Sequence, residues 1–121
     1  MAVSRITLAD LAASLFVDTV SANSAVAVTT ASTVIYSIHI DNSANAAEAE
    51  YVKIWNTAGA VTVGTTVPDM VIPVAAAQVD EIIFPKGITL ATGVAIATVT
   101  AGGTAGTTSP TASLIVRVTY T

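Results

Sequence analysis

From about residue 20 onward the chain runs on a two-residue period of Val, Ile and Thr, interrupted by Gly, Pro, Asn or Asp. β-Branched side chains suit a pleated, half-buried surface, and strict alternation places one set of them on a single face. Val26 and Val28 point one way. Val34, Tyr36, Ile38 and Ile40 share a face opposite Ile35, Ser37, His39 and Asp41, while Val52 and Ile54 oppose Tyr51, Lys53 and Trp55. Met70, Ile72 and Val74 align with Pro73 turned away. Ile82/Phe84, Val94/Ile96 and Leu114/Val116/Val118/Tyr120 bring the total to seven or eight short strands.

Between them lie turn signals: the Asn- and Ala-rich stretch Asp41–Ala49, Gly59 and Gly64 around Val61–Val63, Pro68-Asp69, Pro85-Lys86-Gly87 and Thr92-Gly93. Ala101–Thr111, with Gly102, Gly103, Gly106 and Pro110, reads as a long flexible loop without an apolar anchor. No segment of helical pattern long enough for a parallel crossover separates the strands, so the sheets are expected to be antiparallel. Pro73 belongs on an edge strand or a bulge. The expected fold is mainly β, an antiparallel β-sandwich or jelly-roll-like domain with a short N-terminal helix or arm.

That helix is expected over residues 8–17, where Leu8, Leu11, Ala12, Leu15 and Phe16 fall at helical spacing behind a Thr7/Asp10 pair resembling a capping box. Residues 1–22 then form the helix or arm and residues 23–121 the sandwich. The helix either packs on its own domain or docks on a neighbouring subunit through Leu11 and Leu15.

Hydrophobic residues make up 53% of the chain and charged residues only 10%, against about 25% charged in ordinary soluble proteins. A spanning helix needs about 20 apolar residues in a row. The longest run, Val71–Ala77, contains Pro73, and Asp10 and Asp18 interrupt any leader-like segment. A soluble protein made in the cytoplasm is the expectation. The net charge of -4 disfavours nucleic acid, which calls for a basic face, and the absence of cysteine excludes disulfides and thiolate chemistry. A surface so poor in charge is suited to burial in an assembly.

Catalytic groups are sparse, and no enzymatic activity is expected. His39 is the single histidine, with no nucleophile elbow or second metal-binding histidine. Asp80 and Glu81 are adjacent and would face opposite sides of a strand. Gly102–Gly106 lacks the Lys and the helix of a phosphate loop. Asp41, Asn42, Ser43, Asn45, Glu48 and Glu50 could supply oxygen ligands to a cation, but the spacing is not that of an EF-hand. The segment is read as a solvated hairpin loop, and no cofactor or metal is assigned. Tyr51, Lys53 and Trp55 either pack at the rim of the core or form a patch facing a partner.

Ile40-Asp41-Asn42, Tyr51-Val52-Lys53-Ile54-Trp55-Asn56, Val61–Asp69, Ile72-Pro73-Val74, Phe84–Ile88, Thr92-Gly93-Val94 and the Ala101–Pro110 loop together form a recognisable pattern. Across Ile38–Thr121 it resembles the small virion-associated β-sandwich proteins of tailed bacteriophages, of the capsid decoration or cement type. That resemblance implies a non-enzymatic structural protein on the outer surface of the capsid, binding the major capsid protein as a homo-oligomer, a dimer or trimer. Tyr51, Lys53 and Trp55, or Leu11 and Leu15, are the expected contacts. Neither nucleic acid nor membrane is an expected partner. A head- or tail-fibre module binding a host surface glycan is the alternative, as is a self-polymerising surface-layer or pilin-like subunit.

Overall fold

Alternation and β-branching give eight strands: β1 (Ser14–Ser21), β2 (Val26–Thr29), β3 (Thr33–Asp41), β4 (Glu50–Trp55), β5 (Met70–Val74), β6 (Val79–Leu90), β7 (Val94–Val99) and β8 (Leu114–Tyr120). The structure, a computed structural model, describes residues 13–121. Two four-stranded antiparallel sheets result, in the orders β1-β8-β3-β6 and β2-β7-β4-β5. First pairs with last throughout: β1 with β8, β2 with β7, β3 with β6 and β4 with β5. The chain is thus one long hairpin rolled across two sheets, which is the jelly-roll form of the sandwich.

The inner faces meet in one core. Ile35, Ile38, Ile40, Leu114, Val116 and Val118 come from the first sheet, and Val52, Ile54, Ile72, Val74, Val94 and Ile96 from the second. Pro73 lies on β5, an edge strand, where its missing N–H costs no ladder bond.

Four local expectations are corrected. Ser14–Val17, assigned to the helix over 8–17 and to the arm over 1–22, form the start of β1, paired with β8 from Ser14↔Tyr120 to Asp18↔Val116. Pairing with a neighbouring strand overrides the helical spacing, and the first sheet begins at Ser14. Leu8, Leu11 and the rest of that helix lie outside the described residues. In β3 the register shifts between Ile35 and Ser37 in both of its ladders, a bulge that changes which face later residues occupy. Ile35 is therefore buried along with Ile38 and Ile40, and Tyr36 is exposed.

Pro85-Lys86-Gly87 separates no strands. It bulges out within β6, between the pairs Ser37↔Ile83 and Ile35↔Ile88. The 101–111 segment is anchored after all: Pro110 is buried, Gly102 lies against the Tyr51 ring, and polar contacts hold the rest. Asn23 Nδ2 donates to the Thr107 carbonyl at 2.8 Å, Thr100 N–H to the Thr108 carbonyl at 3.0 Å, and Lys53 fastens the segment from below.

Candidate functional site

Tyr51, Lys53 and Trp55 do share the outer face of β4, as their alternation predicts, but the chain's own loops cover them. Lys53 is 0% exposed, and its Nζ donates to the carbonyls of Gly106 (2.8 Å) and Thr104 (3.2 Å). Desolvation lowers its pKa. Trp55 is buried against Ala95, Ala97, Ala25, Val61 and Val63, with Nε1 donating to the Thr66 carbonyl at 3.0 Å. Tyr51 is half-buried, its ring so close to Gly102 that a Cβ there would lie 2.8 Å from Cδ1. The partner-facing reading of Lys53 and Trp55 is therefore corrected: they bind the 101–111 and 56–69 segments of their own chain.

Those two segments blanket the outer face of the second sheet. The first sheet has no such cover among the described residues. Ladder registers arrange its outer face in rows across β1, β8, β3 and β6. One row reads Leu15, Thr119, Ser37, Ile83, and the next reads Val17, Arg117, His39, Glu81. Leu15 is 58% and Ile83 65% exposed, and Val17 and Val79 are exposed beside them. Apolar side chains thus flank a polar centre, in which Arg117 Nη1 lies 3.2 Å from His39 Nδ1. Arginine can only donate, so the His39 Nδ1 is the accepting atom of this contact. Of the expected contact residues, only Leu15 stands free on a described surface, and it does so from a strand.

The rolled topology brings the 22–25, 42–49, 75–78 and 100–113 loops together at one end. Two buried asparagines tie the last three of these loops. Asn42 Nδ2 donates to the carbonyls of Glu48 and Ala75, both at 3.0 Å. Asn45 Nδ2 donates to Asn42 Oδ1 and the Ala112 carbonyl, and its Oδ1 accepts the Ala112 N–H, all at 2.8 Å. Such a network fixes loop geometry because each buried polar group finds a partner. Asp41 caps the turn outside it: Ser43 Oγ and N–H both donate to its Oδ1 and hold its pKa down. The reading of 41–49 as a solvated hairpin loop is corrected, since Asn42 and Asn45 are buried.

Beneath this loop lies Glu50, 0% exposed, with neither carboxylate oxygen hydrogen-bonded among the described residues. Its two-residue spacing from Val52 and Ile54 puts it on the core face of β4, a signal the sequence offered in plain form. Burial is the first cause of a pKa raised to about 7, and the neighbouring Glu48 carboxyl is the second. Glu48 itself is held low by the Thr111 N–H, which donates to its Oε2 at 3.0 Å. A pocket of about 490 Å³ opens beside Glu48, lined also by Asn45 and Thr111 among alanines.

Among the described residues no cluster of three or more His, Cys, Asp or Glu side chains is placed to hold a metal, and no helix is long and apolar enough to cross a membrane. No protein-family profile, curated protein or solved structure matches the chain.

Proposed function

We propose that this chain is a structural protein of a virion, a capsid decoration or cement protein that binds the outside of a head shell and stabilises it. The observation that carries this reading is the asymmetry of the sandwich. Two loops cover the outer face of the second sheet, whereas the first sheet leaves Leu15, Val17, Val79 and Ile83 exposed. Exposed apolar side chains grouped on one rigid face are the mark of a contact surface. The jelly roll supports the reading at the level of fold, being common among capsid proteins, although lectins and enzymes share it.

A shell presents many identical sites, so a modest contact repeated by a symmetric homo-oligomer becomes strong through effective concentration. Binding that favours the intact shell stabilises it by linkage. No catalytic group is required. The glycan-binding alternative calls for aromatic side chains displayed on loops. Among the described residues Trp55 is buried and the exposed Tyr36 stands on a strand.

Imaging of intact tailed-phage particles with and without the protein tests the proposal. Attachment at symmetry positions of the head is the expected result. Attachment confined to tails, or none, overturns it.

A further inference from the structure

Two carboxyl groups facing each other have no proton to share once both are ionised, and burial makes that arrangement costly. Glu48 and Glu50 are in this position: their side chains are within hydrogen-bonding reach, and Glu50 is sealed on the core face of β4. Arg117 acts on Asp41, whereas among the described residues the charge acting on Glu50 is that of Glu48. A single shared proton would still leave one Glu50 oxygen without a partner. One metal ion would satisfy both.

We propose that the Glu48–Glu50 pair binds a single divalent cation of the calcium type. Among the described residues neither Glu50 oxygen has a hydrogen-bond partner, and the Thr111 N–H takes Oε2 of Glu48, which leaves its Oε1 as the second donor. The donors are hard oxygens with no nitrogen or sulfur among them, which selects calcium or magnesium over zinc. A bidentate carboxylate on a loop-covered strand end suits calcium, whose geometry is flexible, better than magnesium, which demands a near-ideal octahedron. The adjoining pocket reaches Glu48 beside Asn45 and Thr111 and has room there for the water ligands that two carboxylates leave necessary. Affinity follows ligand charge, so two carboxylates place the dissociation constant on the order of 10⁻⁴–10⁻³ M.

Protons compete for the same oxygens. Binding is therefore strong above neutral pH and absent near pH 5. Thermal unfolding of the full chain at pH 8.5 and pH 5 tests this, in calcium chloride, magnesium chloride and sodium chloride of matched ionic strength. Calorimetric titration of calcium at pH 8.5 reads binding directly.

At pH 8.5 about 10 mM calcium should raise the unfolding midpoint by roughly 4–10 °C, magnesium by less and sodium not at all. The calcium shift should disappear at pH 5 and in Glu50→Gln and Glu48→Gln. Glu50→Gln removes a buried charge without changing shape and should fold. If it does not, Glu48→Gln and the titration carry the test. A wild-type midpoint no higher in calcium than in sodium at pH 8.5, or a full shift retained by Glu50→Gln, overturns the proposal.

Discussion

Glu50 makes the stability of the metal-free chain depend on pH in an unusual direction. The folded state holds its proton more tightly than the unfolded chain does, with the pKa raised from 4.5 to about 7. Its contribution is therefore complete below about 4.5 and lost as pH rises through 7, at up to about 3 kcal/mol. In the presence of a chelator, denaturant unfolding should give a more stable protein at pH 5 than at pH 8.5, and Glu50→Gln should flatten most of that slope. Gly87 tests backbone geometry at the same scale. Its φ is +73°, and an added Cβ would lie 2.2 Å from Val34 Cγ1. Gly87→Ala is expected to lose about 1–3 kcal/mol by urea unfolding, because side chain and backbone are both strained.

Segments that packed loops hold in place behave as units, and the 101–111 segment rests on one buried ammonium. Replacing Lys53 by Met keeps most of the stem but removes both donors to the Thr104 and Gly106 carbonyls. Hydrogen exchange across residues 101–109 should accelerate markedly, β3 and β8 should keep their protection, and stability should fall by about 1–2 kcal/mol. This anchor shows where sequence patterns stop carrying information. Alternation correctly placed Tyr51, Lys53 and Trp55 on one face, yet period alone cannot say whether a face meets solvent, a partner or a loop from fifty residues away. The β1 strand fails differently: Leu15 and Phe16 fit a helical repeat, and only the β8 ladder, from Ser14↔Tyr120 onward, decides against it. In β3, the bulge after Ile35 exchanges faces mid-strand, a register effect invisible to a two-residue count. Glu50 was read with the solvated loop, although its spacing from Val52 and Ile54 pointed inward, where the structure buries it.

At the scale of the whole molecule, a chain with 10% charged residues has to place a large neutral surface somewhere, and the jelly roll divides it unequally. The antiparallel sandwich was legible from the absence of crossover helices, but which sheet stays bare depends on where the 56–69 and 101–111 segments fold. Both fold onto the second sheet, through Trp55 and Lys53, so among the described residues the outer face of β1-β8-β3-β6 is left uncovered and is the surface proposed for contact. Leu15 and Ile83 stand at opposite ends of one cross-strand row on that face. Changing both to Lys adds charge where nothing in the described chain is packed, so stability should change by no more than about 0.5 kcal/mol per site. Contact with an apolar partner surface would instead bury two ammonium groups without counter-ions, a far larger penalty. Light scattering after size-exclusion chromatography should show a discrete oligomer for the native chain and a monomer for Leu15→Lys/Ile83→Lys, and the variant should no longer sediment with head shells. A double variant that still assembles and still binds shells would move the contact off this face, onto the β2-β7-β4-β5 side or one of the loop ends.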